Sequence, residues 1–234
     1  MPMARRAPGP CAVRRHDGRP HMKPRYWDEA ARALARRDRV LARLIRRYPG
    51  IHLKRRSDPF TTLARAIVAQ QISTKAADAI WRRFVALVGR MPSHGFPRLA
   101  PARVAAAPIE ALRVCGLSQR KAEYLVDLAN HFASGRLDPK RWKALDDEAL
   151  IAALVDVKGI GRWTAEMFLI FHELRPDVLP LDDLGLQRAL GAHYNGGARL
   201  DRPAMTALAE VWRPWRSVAT WYLWRSLDPI PVEY

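Results

Sequence analysis

The segment at residues 154–190, LVDVKGIGRWTAEMFLIFHELRPDVLPLDDLGLQRAL, decides the fold. It sets a glycine turn, an apolar helix, a proline-bearing loop and a pair of carboxylates in unbroken succession. Gly159 and Gly161 lie between two apolar runs of helical period, so the chain turns sharply there and brings backbone close to a neighbour. Two glycines bracketing Ile160 let successive N–H groups face outward. The helix that follows at once offers its own unbonded N–H groups and positive dipole end, which suits a phosphate. Lys158 and Arg162 flank the turn with charge of the right sign. A plain helix-turn-helix connection would use the same glycines, so this pattern alone leaves both readings open.

Beyond the turn, Trp163, Met167, Ile170 and Leu174 recur on one helical face, while Phe168 and Leu169 make the other sides apolar too. A helix apolar all round is a central one. It stops before Pro176, and a loop carrying Pro180 leads to Asp182 and Asp183 ahead of Leu184, Leu186 and Leu190. An Asp at a helix start usually caps it; two in a row allow one to cap and the other to act elsewhere.

A second hairpin precedes the first. Gly116, Leu117 and Ser118, followed by Ala122 and Glu123, repeat the spacing of Gly159, Ile160 and Gly161 followed by Ala165 and Glu166. If this is a true repeat rather than a chance likeness of short helical turns, two anion-binding turns hold two points of one backbone, with Lys121 serving the first and Lys158 the second.

These residues resemble the helix-hairpin-helix DNA glycosylases that carry a Gly/Pro-rich loop and a catalytic Asp (HhH-GPD), specifically their 3-methyladenine DNA glycosylase II branch. The resemblance rests on VKGIGRWTAE at 157–166, LPLDD at 179–183, AIVAQQIS at 66–73, GLSQRKAEYL at 116–125 and RPWRS at 213–217. Together they span most of residues 58–226 in one order and spacing.

Composition bounds the partners. The 234 residues suit one large domain or two closely joined lobes, and 40 Lys and Arg against 23 Asp and Glu give a net charge of +17. Such a chain seeks a polyanion, though charge does not separate DNA from RNA or an acidic membrane. Cys11 and Cys115 are the only cysteines and have no metal-ligand spacing, so neither a disulfide framework nor an iron–sulfur cluster is indicated. No apolar run approaches the ~20 residues of a membrane span.

Residues 1–24 carry Arg5, Arg6, Arg14, Arg15, Arg19 and Lys23 among prolines, with Asp17 as the only acid, and read as a disordered basic tail. The prolines argue against an amphipathic transit helix, and a secretory apolar core is missing. From Tyr26 the pattern turns helical through Trp27, Leu34, Leu41 and Leu44, with a basic face from Arg36 to Arg47. Asp58 and Pro59 signal an N-cap and first helical turn, and Phe60, Leu63, Ala64, Ile67 and Val68 form an apolar stripe that runs into Gln70 and Gln71. Ser73 caps the next helix, through Trp81 and Phe84 to Gly89. Asp146 or Asp147 starts the helix leading to Gly159.

The last segment, VWRPWRSVATWYLWRSL at 211–227, holds four of the eight tryptophans. On a helix starting near Pro214, Trp215, Val218, Ala219, Tyr222 and Ser226 share one side, with Trp221 and Trp224 opposite. A second aromatic face calls for a neighbouring lobe, a dimer contact or a cleft. No period-2 strand pattern stands out, so the fold class is all-α.

The resemblance implies more than the pattern does. It implies two helical lobes within residues 25–234, with the active-site cleft between them. It places the catalytic carboxylate at Asp183 and the base pocket at Trp163, Met167 and Trp224. Gln71, beside Gln70, falls where the family inserts a side chain into the duplex after the base has left. The first hairpin from Ser118 to Lys121 and the second from Lys158 through Gly159, Ile160 and Gly161 to Thr164 fall where the family grips DNA. The family members that also cut the backbone carry a Lys two residues after the second hairpin glycine; here that place holds Trp163, so no Schiff base is expected. Met167 stands where some alkyl-base enzymes have Tyr, which departs from the pattern.

The implied function is a monofunctional enzyme that flips and excises alkylated purines of the 3-methyladenine type. It would act on damaged double-stranded DNA as a monomer with no cofactor, no metal and no membrane, in the cytoplasm or on a bacterial nucleoid. Two readings stand beside it. One is a glycosylase of the same fold for uracil or oxidised bases, which would want hydrogen-bonding side chains in the pocket. The other is a non-enzymatic hairpin module, which would leave the Asp after the proline loop unexplained.

Overall fold

The computed structural model describes residues 23–55, 57–90 and 97–227. The basic tail expected over residues 1–24 lies almost wholly outside them. Within the described residues the fold is all-α, the one exception being a two-residue antiparallel pair, β1 (Gly89–Arg90) with β2 (Arg98–Leu99).

The helices begin where the sequence signals them. Helix α1 (Trp27–Arg37) breaks at Asp38, whose Oδ1 accepts the N–H groups of Val40 and Leu41 and so starts α2 (Arg39–Arg47). Asp58 caps α3 (Pro59–Ala69) with Pro59 in its first turn, and Ser73 caps α4 (Thr74–Val88). Two short helices, α5 (Pro101–Ala105) and α6 (Ile109–Val114), lead to α7 (Gln119–Ala133), capped by Ser118. Asp146, not Asp147, caps α8 (Asp147–Val155). The central helix α9 (Arg162–Phe171) follows the second hairpin, and α10 (Leu184–Tyr194) follows the proline loop. Helix α11 (Arg202–Ala209) and α12 (Arg216–Leu227) end the described chain.

Packing sorts these helices into two groups that share one apolar core. Helices α3, α4 and α9 gather with α5 and α6 about α7, whereas α1, α2 and α10 pack with α12. The chain thus leaves the terminal group after α2, builds the middle group through α9, and returns through the loop at 172–183. Trp27, Trp212, Leu34 and Leu41 are buried in the terminal group, and Phe84, Leu63, Ile67 and Leu125 in the middle one. Asp38 ties the terminal group together: besides capping α2, its Oδ2 accepts Tyr194 Oη at 2.8 Å and Trp212 Nε1 at 2.9 Å.

The loop at 172–183 crosses between the groups and is pinned to both. The carbonyl of His172 accepts Arg55 Nε, the carbonyl of Leu174 accepts Tyr26 Oη, and Ser217 Oγ accepts the N–H of Val178. Asp177 takes Arg213 and Arg216, the two arginines of the RPWRS stretch. Among the described residues no helix is long and apolar enough to cross a membrane.

Candidate active site

The two hairpins share their backbone geometry. Gly116 and Gly159 both take a left-handed φ (97° and 84°), Leu117 and Ile160 are buried, and Ser118 and Gly161 are the N-caps of α7 and α9. The repeat read from spacing is therefore a structural repeat. Gly159 needs its missing side chain twice over: a Cβ there would also come within 2.6 Å of Tyr124 Cγ.

The hairpins differ in what closes them. Ser118 Oγ accepts Lys121 N and caps its own helix, whereas among the described residues no side chain caps α9. Ala165 N makes the first bond of that helix back to Gly161 O, so the N–H groups of Arg162, Trp163 and Thr164 precede it. A Cβ at Gly161 would meet nothing within 4 Å. The second hairpin is open to an anion, and the side chain of Lys158 is exposed beside it.

Three basic or polar assignments change. Lys121 does not face a phosphate: its ammonium donates to the carbonyls of Val68 (2.8 Å) and Gln70 (2.7 Å), and burial lowers its pKa. Arg162 turns back onto α8 and α9, bonded to Glu148 and Glu166, and its charge is matched there. The side chain of Thr164 is buried, which leaves only its backbone at the hairpin. Gln71 keeps an exposed side chain in the turn between α3 and α4, in the left-handed region at φ 56°, while Gln70 donates from Nε2 to Gly159 O at 2.9 Å.

Asp183 sits where the two helix groups meet. Its Oδ1 accepts Leu186 N at 2.7 Å and Trp224 Nε1 at 2.8 Å, and its Oδ2 accepts Trp163 Nε1 at 3.0 Å. Trp163 comes from α9 and Trp224 from α12, so the carboxylate is held by a helix of each group. With Asp183 expected to act in chemistry and Asp182 left to cap the helix or support the loop, the structure gives the cap to Asp183 itself, the N-cap of α10. Asp182 instead pairs with Arg202 at the surface. The division assumed one task per side chain, but a carboxylate has two acceptor oxygens, and Asp183 caps with one while presenting the other.

The apolar face read for α9 also changes. Helix α9 ends at Phe171, and Leu174, expected in its last turn, lies outside it at φ 56°; Ile170 is wholly buried. The face of α9 turned to Asp183 and α12 carries Trp163 and Phe171, at i and i+8, with half-buried Met167 at i+4. Phe171 stacks on Trp224 with ring centroids 5.5 Å apart and planes 9° from parallel, and meets Trp221 edge-on at 6.1 Å. Met167, one turn after Trp163 on α9, is half-buried, and Trp163 is 43% exposed. The second aromatic face of α12 is explained by α9 across the cleft.

Two contributors escaped the sequence reading. Phe171 would have been found had α9 been ended one turn earlier. Gly185 lies in the first turn of α10, where a Cβ would stand 3.0 Å from Asp183 Oδ1 and 3.1 Å from Trp224 Cδ1. A glycine inside a helix, which weakens it relative to Ala, is the signal that could have marked this close approach.

An oriented carboxylate in a cleft walled by aromatic faces can stabilise a cation and hold a water. Elsewhere on α9, Glu166 is buried with Oε2 unpartnered among the described residues, and burial raises its pKa against the opposing charge of Arg162.

The model of the "HhH-GPD superfamily base excision DNA repair protein" family matches residues 64–214. DNA-3-methyladenine glycosylase 1 of Schizosaccharomyces pombe is 33% identical over 189 residues, covering 80% of this chain and 80% of that protein. The crystal structure of a DNA-3-methyladenine glycosidase from Bacillus halodurans aligns with a TM-score of 0.77 at 34% identity, over 88% of this chain and 92% of that one. A 3-methyladenine DNA glycosylase from S. pombe in complex with abasic DNA aligns with a TM-score of 0.70 at 32% identity, over 85% of this chain and 96% of that one.

Proposed function

Because the chain belongs to the HhH-GPD superfamily of base excision DNA repair proteins, in the branch of the 3-methyladenine DNA glycosylases, we propose that it is a monofunctional glycosylase whose reaction centre is Asp183. It excises alkylated bases from DNA in base excision repair. The observation that carries the assignment of Asp183 is the grip on its carboxylate by Trp163, Trp224 and Leu186 N, which fixes a negative charge between α9, α10 and α12.

The chemistry follows from that placement. A base inside a duplex is out of reach and must be extruded, which costs least when it is damaged. The open N-terminus of α9, with Lys158 beside it, holds a phosphate near the lesion, and Gln71 fills the gap in the stack. An alkylated purine already carries positive charge, so the bond from N9 to C1′ breaks with its electron pair going to the base and needs no protein acid. Positive charge then grows on the sugar, where the Asp183 carboxylate stabilises it. Water adds to C1′, and its proton passes to the carboxylate or to solvent.

The pocket also selects. The indole N–H groups of Trp163 and Trp224 are both spent on Asp183, so what they and Phe171 offer a flipped base is π surface. Such faces attract a cationic ring and read few hydrogen-bonding groups, which favours alkylated purines over uracil or oxidised bases. Trp163 supplies no amine, so base release leaves an intact abasic site.

The test is base release from duplexes carrying methylated, deaminated or oxidised bases, with borohydride present in a parallel arm. Release confined to methylated purines, with no covalent protein–DNA adduct, is expected. A trapped adduct would overturn the monofunctional assignment, and release led by uracil or oxidised purines would overturn the pocket reading.

A further inference from the structure

We propose that α7 is the positioning element that sets the distance between the wedge turn at Gln71 and the phosphate-holding hairpin at Gly159, and that Lys121 is its anchoring residue. The proposal rests on the wedge and phosphate roles given above. Three residues at successive turns of one face of α7 touch both parts. Lys121 donates to the carbonyls of Val68 and Gln70 at the C-terminal end of α3. Tyr124 packs against Gly159 so closely that a Cβ there would lie 2.6 Å from its Cγ. Asp127 accepts the N–H of Lys158 at 2.9 Å.

The last carbonyls of a helix lack intrahelical partners and carry the negative end of its dipole, so an ammonium there is both a hydrogen-bond donor and a matched charge. It ends α3 at Gln70, and the next residue takes the left-handed conformation that throws its side chain into solvent. A non-glycine residue keeps that conformation only where its surroundings impose it. The link from Gln70 Nε2 to Gly159 O closes the triangle between the two turns and α7. A wedge and a phosphate grip work together only at a fixed separation, since one fills the gap that the other's hold on the backbone keeps open. The first hairpin thus holds the second one and the wedge in register, and its lysine points inward for that reason.

This account separates from direct phosphate binding by salt dependence. Affinity for DNA falls with salt in proportion to the phosphates neutralised, so loss of one contacting cation lowers the log–log slope by about 1. In the full chain, Lys121→Met is expected to leave that slope unchanged. It should cut single-turnover release of 3-methyladenine from duplex at least tenfold while changing release from single-stranded DNA less than about twofold, because a single strand needs no wedge. Lys121→Arg, which keeps a cationic donor, should recover part of the duplex rate. Asp127→Ala cuts the hairpin side of the same link and serves if Lys121→Met does not fold; it should show the same selective loss. A slope reduced by about 1, or duplex and single-strand rates falling together, overturns the proposal, as does an unchanged duplex rate. Gln71→Ala run in parallel tells the two readings apart. If it spares the duplex rate the wedge assignment fails, whereas if it lowers that rate and the α7 variants do not, only the positioning role fails.

Discussion

Trp224 Nε1 reaches Asp183 Oδ1 at 2.8 Å across a gap that exists because residue 185 has no side chain. Gly185 is the second residue of α10, and a Cβ there would stand 3.0 Å from the carboxylate oxygen and 3.2 Å from the indole nitrogen. Its backbone is helical, so the glycine is retained against helix propensity, at a cost of about 1 kcal/mol relative to Ala. Gly185→Ala should therefore push stability and activity in opposite directions. The melting temperature is expected to hold or rise, while single-turnover base release falls about tenfold as the indole is displaced. Equal activity with a raised melting temperature would show that Trp224 gives way without consequence, and the contact would lose its functional meaning.

The two glycines of the second hairpin are expected to respond differently. Gly159→Ala meets both a left-handed φ of 84° and Tyr124, so about 1–3 kcal/mol of stability and most DNA binding should be lost together. Gly161→Ala meets neither: its φ of −89° suits any residue and the space beside it is open. A methyl group there gains from a less free unfolded chain but loses because Ala is a poorer N-cap than Gly, so it should change the melting temperature little. It should nonetheless weaken DNA binding several-fold by standing where the phosphate approaches. Kd values at two salt concentrations beside thermal melts check both; full affinity in Gly161→Ala would remove the phosphate from that turn.

Much of this was legible in the chain. Cap signals at Asp58 and Ser73, and one narrowed to Asp146 or Asp147, place helix starts correctly, because capping is a local interaction between a side chain and N–H groups two or three residues on. The hairpin repeat was legible for the same reason. What sequence could not show was where long side chains finish. Lys121 and Arg162 stand beside glycine turns in sequence, yet Lys121 turns to α3 and Arg162 to Glu148, choices set by helices distant in the chain. The end of α9 was misjudged because apolar periodicity continues to Leu174 while the backbone leaves the helix at His172. That shift leaves Leu174 outside the helix and makes Phe171, not named in the sequence reading, the residue that meets α12.

His172 makes stability depend on pH in a stated direction. It is 2% exposed, stacked on Phe168 at 4.7 Å and 3.1 Å from Thr62 Oγ1, and burial, with the Arg55 charge adding, pushes its pKa down to about 3. An unfolded His takes up a proton near pH 6.5, so below that value the unfolded state binds a proton that the folded state refuses. Its contribution is complete above about pH 6.5 and is lost as pH falls toward 3, with a slope of at most about 1.4 kcal/mol per pH unit. Glu166 and Asp147, whose values are raised by burial, act in the opposite sense as pH rises through the ordinary carboxylate range. The effect of His172 is therefore read as a difference. Stability of the unaltered protein minus that of His172→Phe should rise with pH between about 4 and 6.5, in denaturant titrations. A flat difference would place an ordinary histidine at this site.

The sharpest test concerns the two neighbouring carboxylates, because the structure reverses their expected structural roles while leaving Asp183 as the choice for chemistry. Asp183 caps α10, and Asn is as good an N-cap as Asp. In Asp183→Asn the amide oxygen can still accept Leu186 N and Trp224 Nε1, which keeps the helix start in place. Its amide nitrogen, however, then faces the Trp163 N–H, donor against donor, and the negative charge is gone. Loss of one preorganised electrostatic partner costs roughly 100-fold to 1000-fold in rate, so base release should fall by at least that factor with little change in melting temperature. Asp182→Asn removes only an exposed pair with Arg202, which contributes less than about 1 kcal/mol. It should melt nearly as the parent does and keep its rate within a few-fold. Single-turnover release of 3-methyladenine from methylated DNA, run beside thermal melts, reads all four quantities. A dead Asp182→Asn protein with an active Asp183→Asn one would move the reaction centre to Asp182. Full activity in both would remove carboxylate catalysis from this cleft, and a marked loss of stability in Asp182→Asn alone would return the cap to that residue.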